Sequence, residues 1–163
     1  MLIAALALAA DSCPATPPVL PPPFAGWQRG AAGMMASAAS DDRRAMPLPL
    51  GQRVEVKLLS MASVDFDVAP EGTAPGREGG LLMLVVPAPG RYRVMLGGPA
   101  WIDLVAAGKP LASVGHDHGP ACSGIRKMVD FQLAAGRYTL QLSGAQTATI
   151  AVMVVPVVNE GNQ

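Results

Sequence analysis

Past Gly51 the chain breaks into short runs where apolar and polar residues alternate or where apolar residues stand together. RYRVML at 91–96 and RYTLQL at 137–142 alternate with a period of two, which turns every second side chain toward one face of a strand. LLMLVV at 81–86 is apolar throughout, so a strand there needs cover on both faces, at the centre of a sandwich or under another segment. The same pattern predicts strands at 53–59, 62–68, 101–106, 111–114, 125–133 and 149–155, with Gly, Pro and Ala turns between them. No stretch holds a sustained helical period. Many short strands punctuated by turn residues predict an all-β fold, an antiparallel β-sandwich of jelly-roll or Greek-key type.

The first 50 residues have a different texture. PATPPVLPPPFAGW at 14–27 predicts an extended, polyproline-like arm, neither helix nor central strand, because proline lacks the backbone donor and restricts the residue before it. Phe24 and Trp27 are the side chains with which this arm can dock on the domain. The Ala-rich stretch at 30–50 has no convincing periodicity and reads as mostly irregular. The chain thus divides into an apolar leader at 1–10, an arm at 11–50, a sandwich domain at 51–158 and a short tail at 159–163.

An internal echo sharpens the picture. APGRYRVMLGG, starting at Ala88, matches AAGRYTLQLSG, starting at Ala134, at Ala, Gly, Arg, Tyr, Leu and the last Gly. A Gly-x-Tyr step opening a strand is the pattern of a tyrosine corner, in which the hydroxyl bonds backbone near the preceding turn. Tyr92 and Tyr138 are therefore assigned to architecture. The strand pattern resembles the G-x-Y-x-L-x-L-x-G strand of pre-peptidase C-terminal and related jelly-roll domains, which implies shape and no activity.

Composition then narrows the function classes. Lys+Arg and Asp+Glu balance at 12 each, and charged residues make up only 15%. A dispersed, neutral charge argues against nucleic acid or an anionic membrane surface as partner. Half the residues are hydrophobic but only 4% are aromatic, so Ala, Val and Leu must fill the core. The leader MLIAALALAA ends in an A-x-A pattern, Ala7-Leu8-Ala9, and is far shorter than a membrane span. It reads as a signal peptide, although no Lys or Arg precedes the apolar run; the alternative is an apolar N-terminal strand. Periplasmic or secreted localisation follows, with no membrane span.

In such a compartment the two cysteines, Cys13 and Cys122, read first as one disulfide tying the arm to the domain. The rival reading leaves Cys122 a thiolate ligand or nucleophile. Both histidines fall in SVGHDHGPAC at 113–122. In an extended segment, His116 and His118 face one way, close enough to share a metal, while Asp117 points the other way. Asp130 is then the better third ligand, and copper, zinc or iron the transition metal such donors suit. Arg126 and Asp117 are candidate ligand-binding groups, and Arg126 shares a predicted strand face with Asp130. The plain alternative is a polar turn, with Asp117 and Gly119 supplying the turn and Pro120 ending the ladder. No G-x-S-x-G elbow supports a serine nucleophile.

The block SVGHDHGPACSGIRKMVDFQLAAGRYTLQLSG, together with the early SCPATP, resembles short secreted bacterial proteins that carry the name homogentisate 1,2-dioxygenase. That resemblance implies an Fe(II)-dependent, aromatic ring-opening oxidoreductase, a cupin-type activity with iron on two histidines and a carboxylate. His116 and His118 match the His-x-His of the first cupin motif. Cys122 and Ser123 stand where its glutamate is expected, and the second motif is missing. Three functions are thus carried forward: a non-catalytic binding module for a metal, small ligand or partner near the His116–His118 loop, the dioxygenase, and a purely structural or interaction module.

Overall fold

Alternation along the strands divides the molecule into two layers. The computed structural model describes residues 12–158; the leader at 1–10 and the tail at 159–163 lie outside the described residues. The strands are β1 (Ala32–Met35), β2 (Val54–Lys57), β3 (Leu59–Ser60), β4 (Glu78–Val86), β5 (Gly90–Leu96), β6 (Trp101–Ala106), β7 (Lys109–Pro110), β8 (Gly115–Asp117), β9 (Lys127–Leu133), β10 (Gly136–Ala145) and β11 (Thr149–Pro156). One sheet runs β1-β2-β11-β5-β9-β8 and the other β3-β4-β10-β6-β7. Their neighbours are antiparallel except β1 beside β2. The chain is an all-β sandwich, as the pattern predicts. Its last two strands insert between earlier ones, β10 between β4 and β6 and β11 between β2 and β5, so neither sheet is continuous until the C-terminal segment arrives.

Between the sheets the alternating residues meet: Val94 and Leu96 of β5, Val129 and Phe131 of β9, Leu140 and Leu142 of β10. Burying each such side chain contributes roughly 1.5–3 kcal/mol. Both echoed tyrosines close corners as expected. Tyr92 donates its hydroxyl to the Ala88 carbonyl and Tyr138 to the Ala134 carbonyl, each at 2.9 Å.

A second apolar cluster lies on the outer face of the six-stranded sheet, where the arm covers it. Leu20 and Trp27 pack there against Met95, Met128, Met153 and Val155. The arm differs from its predicted form, because Pro22–Trp27 is a single 3-10 helical segment. Prolines are tolerated in a first turn, whose N–H groups have no partner within the helix. Gln28 then donates to the Pro18 carbonyl at 2.6 Å, folding the arm back on itself, and Arg53 donates to the Trp27 carbonyl at 3.0 Å. The disulfide Cys13–Cys122 is formed, with Cα atoms 5.5 Å apart.

Three local expectations differ from the structure. Residues 62–68 form no strand. They leave a short 3-10 turn, Met61–Ser63, and cross the outer face of the five-stranded sheet, where the buried Gln141 amide bonds the Val68 backbone. Residues 111–114 are not a strand either; the ladder is made by Gly115–Asp117. Conversely, Ala32–Met35 pairs in parallel with β2 although its exposed, Gly-containing sequence has no strand pattern. Partners decide each case: a short segment becomes a strand where a free edge meets it. LLMLVV is covered only in part: the arm extends β4 along its edge, Ser37 with Leu81 and Leu48 with Met83, while Val85 on the outward face stays 40% exposed. No helix among the described residues is long and apolar enough to cross a membrane.

Candidate functional site

β8 forms the edge of the six-stranded sheet and is so short that it presents a single ladder to β9. Its register sets Gly115 opposite Asp130, His116 opposite Val129 and Asp117 opposite Met128. Directly opposed residues share a face. His116 therefore points with Val129 toward the sandwich interior, while Asp117 and Asp130 belong to the outer face with Met128. His118 follows the strand, and its Nδ1 lies 3.0 Å from the Arg126 carbonyl oxygen. Since that oxygen only accepts, Nδ1 is the donor of this bond. His116 Nε2 is 3.2 Å from the Ser113 hydroxyl. Asp117 accepts from the His118 backbone N–H at 2.7 Å, bracing the start of the turn.

These side chains line a cleft of about 480 Å³, and the far wall is Trp101 at the start of β6, on the other sheet. Lys127 and Arg126 complete its polar rim. The Trp101 indole is 51% exposed. A Cβ at Gly72 would stand 2.8 Å from the indole and one at Gly144 3.2 Å from it, so the two glycines let backbone approach the ring. Lys127 Nζ donates to the Ala100 carbonyl at 3.0 Å and sits 5.2 Å from the indole centroid. Burial pushes the Lys127 amine below the ordinary lysine value, against the opposing charge of Asp103. Burial likewise pushes Asp103 above the usual carboxylate range, with Glu71 adding to the effect, while the Gln141 hydrogen bond and Lys127 work against it.

The candidate residues thus divide. His116, His118, Asp117 and Arg126 come together at the cleft. Asp130 does not: it is buried under the arm, bonded to Arg91 at 2.7 Å and to Arg93 at 2.6 Å. Burial alone would raise the Asp130 carboxyl, but the hydrogen bonds and charges of Arg93 and then Arg91 outweigh it and hold it below the usual range. Arg93 is raised in turn by its hydrogen bond to Asp130. The expected Arg126–Asp130 proximity gives way to this pair because β5, lying beside β9, supplies two guanidinium groups at closer register. A Cβ at Gly115 would stand 2.8 Å from Arg91 Nη2, so any larger residue there would push against the end of this guanidinium.

An iron centre of the kind implied by the dioxygenase resemblance needs a carboxylate on the imidazoles' side. Asp130 is held by arginines on the other face and Asp117 by its own turn. Among the described residues no group of three His, Cys, Asp or Glu side chains is placed to hold a metal. The donors present do not assemble that set. Cys122 is in the disulfide and is not a free thiolate.

Trp101 and Lys127 are the site residues that the sequence did not single out. An exposed tryptophan in a chain with two is a signal in hindsight, but nothing local links it to a histidine loop on the opposite sheet. Compared with family models, with curated proteins and with solved structures, the chain matches none.

Proposed function

We propose that this is an exported, disulfide-tethered β-sandwich whose role is non-catalytic binding of a small ligand in the Trp101–His118 cleft. The observation that carries the reading is convergence. Two imidazoles, two cationic side chains and an exposed indole, drawn from both sheets, surround one open space of ligand size. The glycine bed under Trp101 and the proton fixed on His118 Nδ1 give that space defined surfaces before any ligand arrives. Export is supported by the apolar leader and by the intramolecular disulfide.

Trp27 is buried and Trp101 exposed, so indole fluorescence reports the cleft. Titration with Zn²⁺, Cu²⁺ and a panel of small organic anions is expected to give a saturable change with at least one probe. Trp101→Phe should abolish it and His118→Ala should weaken it. A saturable response that survives Trp101→Phe would place binding elsewhere, and flat titrations with every probe would remove the reading.

A further inference from the structure

The chain has three lysines, Lys57, Lys109 and Lys127. The first two are exposed on strand surfaces and Lys127 alone is half-buried, at the first position of β9 inside the cleft. Its Nζ is aimed by the hydrogen bond to the Ala100 carbonyl and by the indole of Trp101. Arg126, the preceding residue, is exposed at the same cleft, and among the described residues it enters no salt bridge. The cleft therefore pairs a half-buried amine with a guanidinium able to hold an anion.

We propose that Lys127 captures carbonyl compounds, specifically small aldehydes or 2-oxo acids whose anionic group is met by Arg126. This deepens the binding reading of the same cleft and rests on it. The neutral amine adds its lone pair to the carbonyl carbon, and the carbonyl oxygen takes a proton to give a carbinolamine. That oxygen then leaves with the second amine proton as water, and a carbon–nitrogen double bond forms. One amine and one carbonyl give one imine and one water, with no oxidant or reductant. The amine is suited to the step because burial favours its uncharged form. The charged and titratable groups around it are Asp103 from β6, Glu71 beyond Asp103, His116, Asp117 and His118 from β8 and its turn, and Arg126. Of these, the Asp103 carboxylate opposes the shift.

The test is reductive trapping on the full chain with glyoxylate and borohydride, read by peptide mapping at all three lysines, with acetaldehyde as the uncharged comparison. Lowering an amine's pKa increases its neutral fraction near neutral pH, so trapping at Lys127 is expected to exceed that at Lys57 and Lys109 severalfold. Its pH profile should rise at lower pH than theirs. Arg126→Ala should lower the glyoxylate yield at Lys127 while leaving acetaldehyde unchanged, with the melting midpoint retained. Equal yields at the three lysines would overturn the proposal. An Arg126→Ala effect equal for both probes would overturn its anion-binding half. A saturable Trp101 response without selective trapping would sink the amine chemistry and leave the binding reading, whereas selective trapping with a flat non-covalent titration would do the reverse.

Discussion

The two echoed segments, 88–98 and 134–144, begin alike and end in different work. Each starts its strand with a glycine, Gly90 or Gly136, closes a tyrosine corner at 2.9 Å and sends two apolar side chains inward, Val94 and Leu96 or Leu140 and Leu142. Their outward residues part company. β5 turns Arg91, Arg93 and Met95 to the face covered by the arm, where the arginines grip Asp130 and Phe24 lies over Arg93 at 5.7 Å. β10 turns Gln141 and Ser143 to a face crossed by the 61–76 loop, where the Gln141 amide bonds the Val68 backbone in both directions. The inward half of the repeat builds a sandwich, while the outward half selects what covers each sheet. Apolar packing, with Phe24 over the Arg93 guanidinium, holds the arm on one face, and an amide holds a loop on the other.

This contrast can be broken at its covers. The largest effect is expected from removing the tether that only the arm side has. Cys13→Ser with Cys122→Ser opens a loop of sequence separation 109, which the chain-entropy model puts at about 5 kcal/mol as an upper value. Urea unfolding measures it, and an unchanged midpoint would show that the arm holds without it. Asp130→Ala, which leaves two guanidinium groups without their buried partner, should cost about 3 kcal/mol. Gln141→Ala, on the other face, should cost about 2 kcal/mol through the unpaired Val68 backbone. Equal costs would erase the distinction between a charged and a neutral outward group.

Acid sharpens the same comparison. The Asp130 carboxyl is held below its ordinary value in the fold. The stability it contributes is therefore complete above the unfolded value of about 3.9 and is lost as pH falls from there through the folded value. The wild-type protein should lose stability below about pH 4 more steeply than Asp130→Ala, while Gln141→Ala should follow the wild-type slope. Parallel curves for wild type and Asp130→Ala would refute the assignment. The smallest effects belong to the shared corners. Tyr92→Phe, at a nearly buried hydroxyl, should cost about 1 kcal/mol, and Tyr138→Phe, more exposed, should cost less. A larger cost at Tyr138 would reverse the ranking by burial.

Legibility followed the range of each interaction. Alternation at 91–96 and 137–142, the Gly-x-Tyr corners and the pairing of two lone cysteines rest on local pattern or simple count, and all appear in the structure. Residues 62–68 carried strand-like sequence but cross a sheet face, and 111–114 pass from one sheet to the other, bonding Leu104 through Leu111 and Asp130 through Val114, whereas Ala32–Met35 gained a ladder from β2. In the site, His116, Asp117, His118 and Arg126 were legible together because they lie within one short segment. The role of Asp130 was not, since Arg91 and Arg93 stand 39 and 37 residues away.

By itself the sequence determined the strand periods, the corners, the charge balance and the segment holding both histidines, because these depend on neighbours a few positions apart. Tertiary structure decided which face each outward residue meets. It placed Asp130 beneath the arm rather than beside the histidines, through the register of β5 against β9. It also brought Trp101 of one sheet to Lys127 of the other, where the Lys127 amine bonds the Ala100 carbonyl. The SVGHDHGPAC stretch is consequently a short strand and turn that forms one wall of a cleft, and the opposite wall comes from residues that no local pattern connects to it.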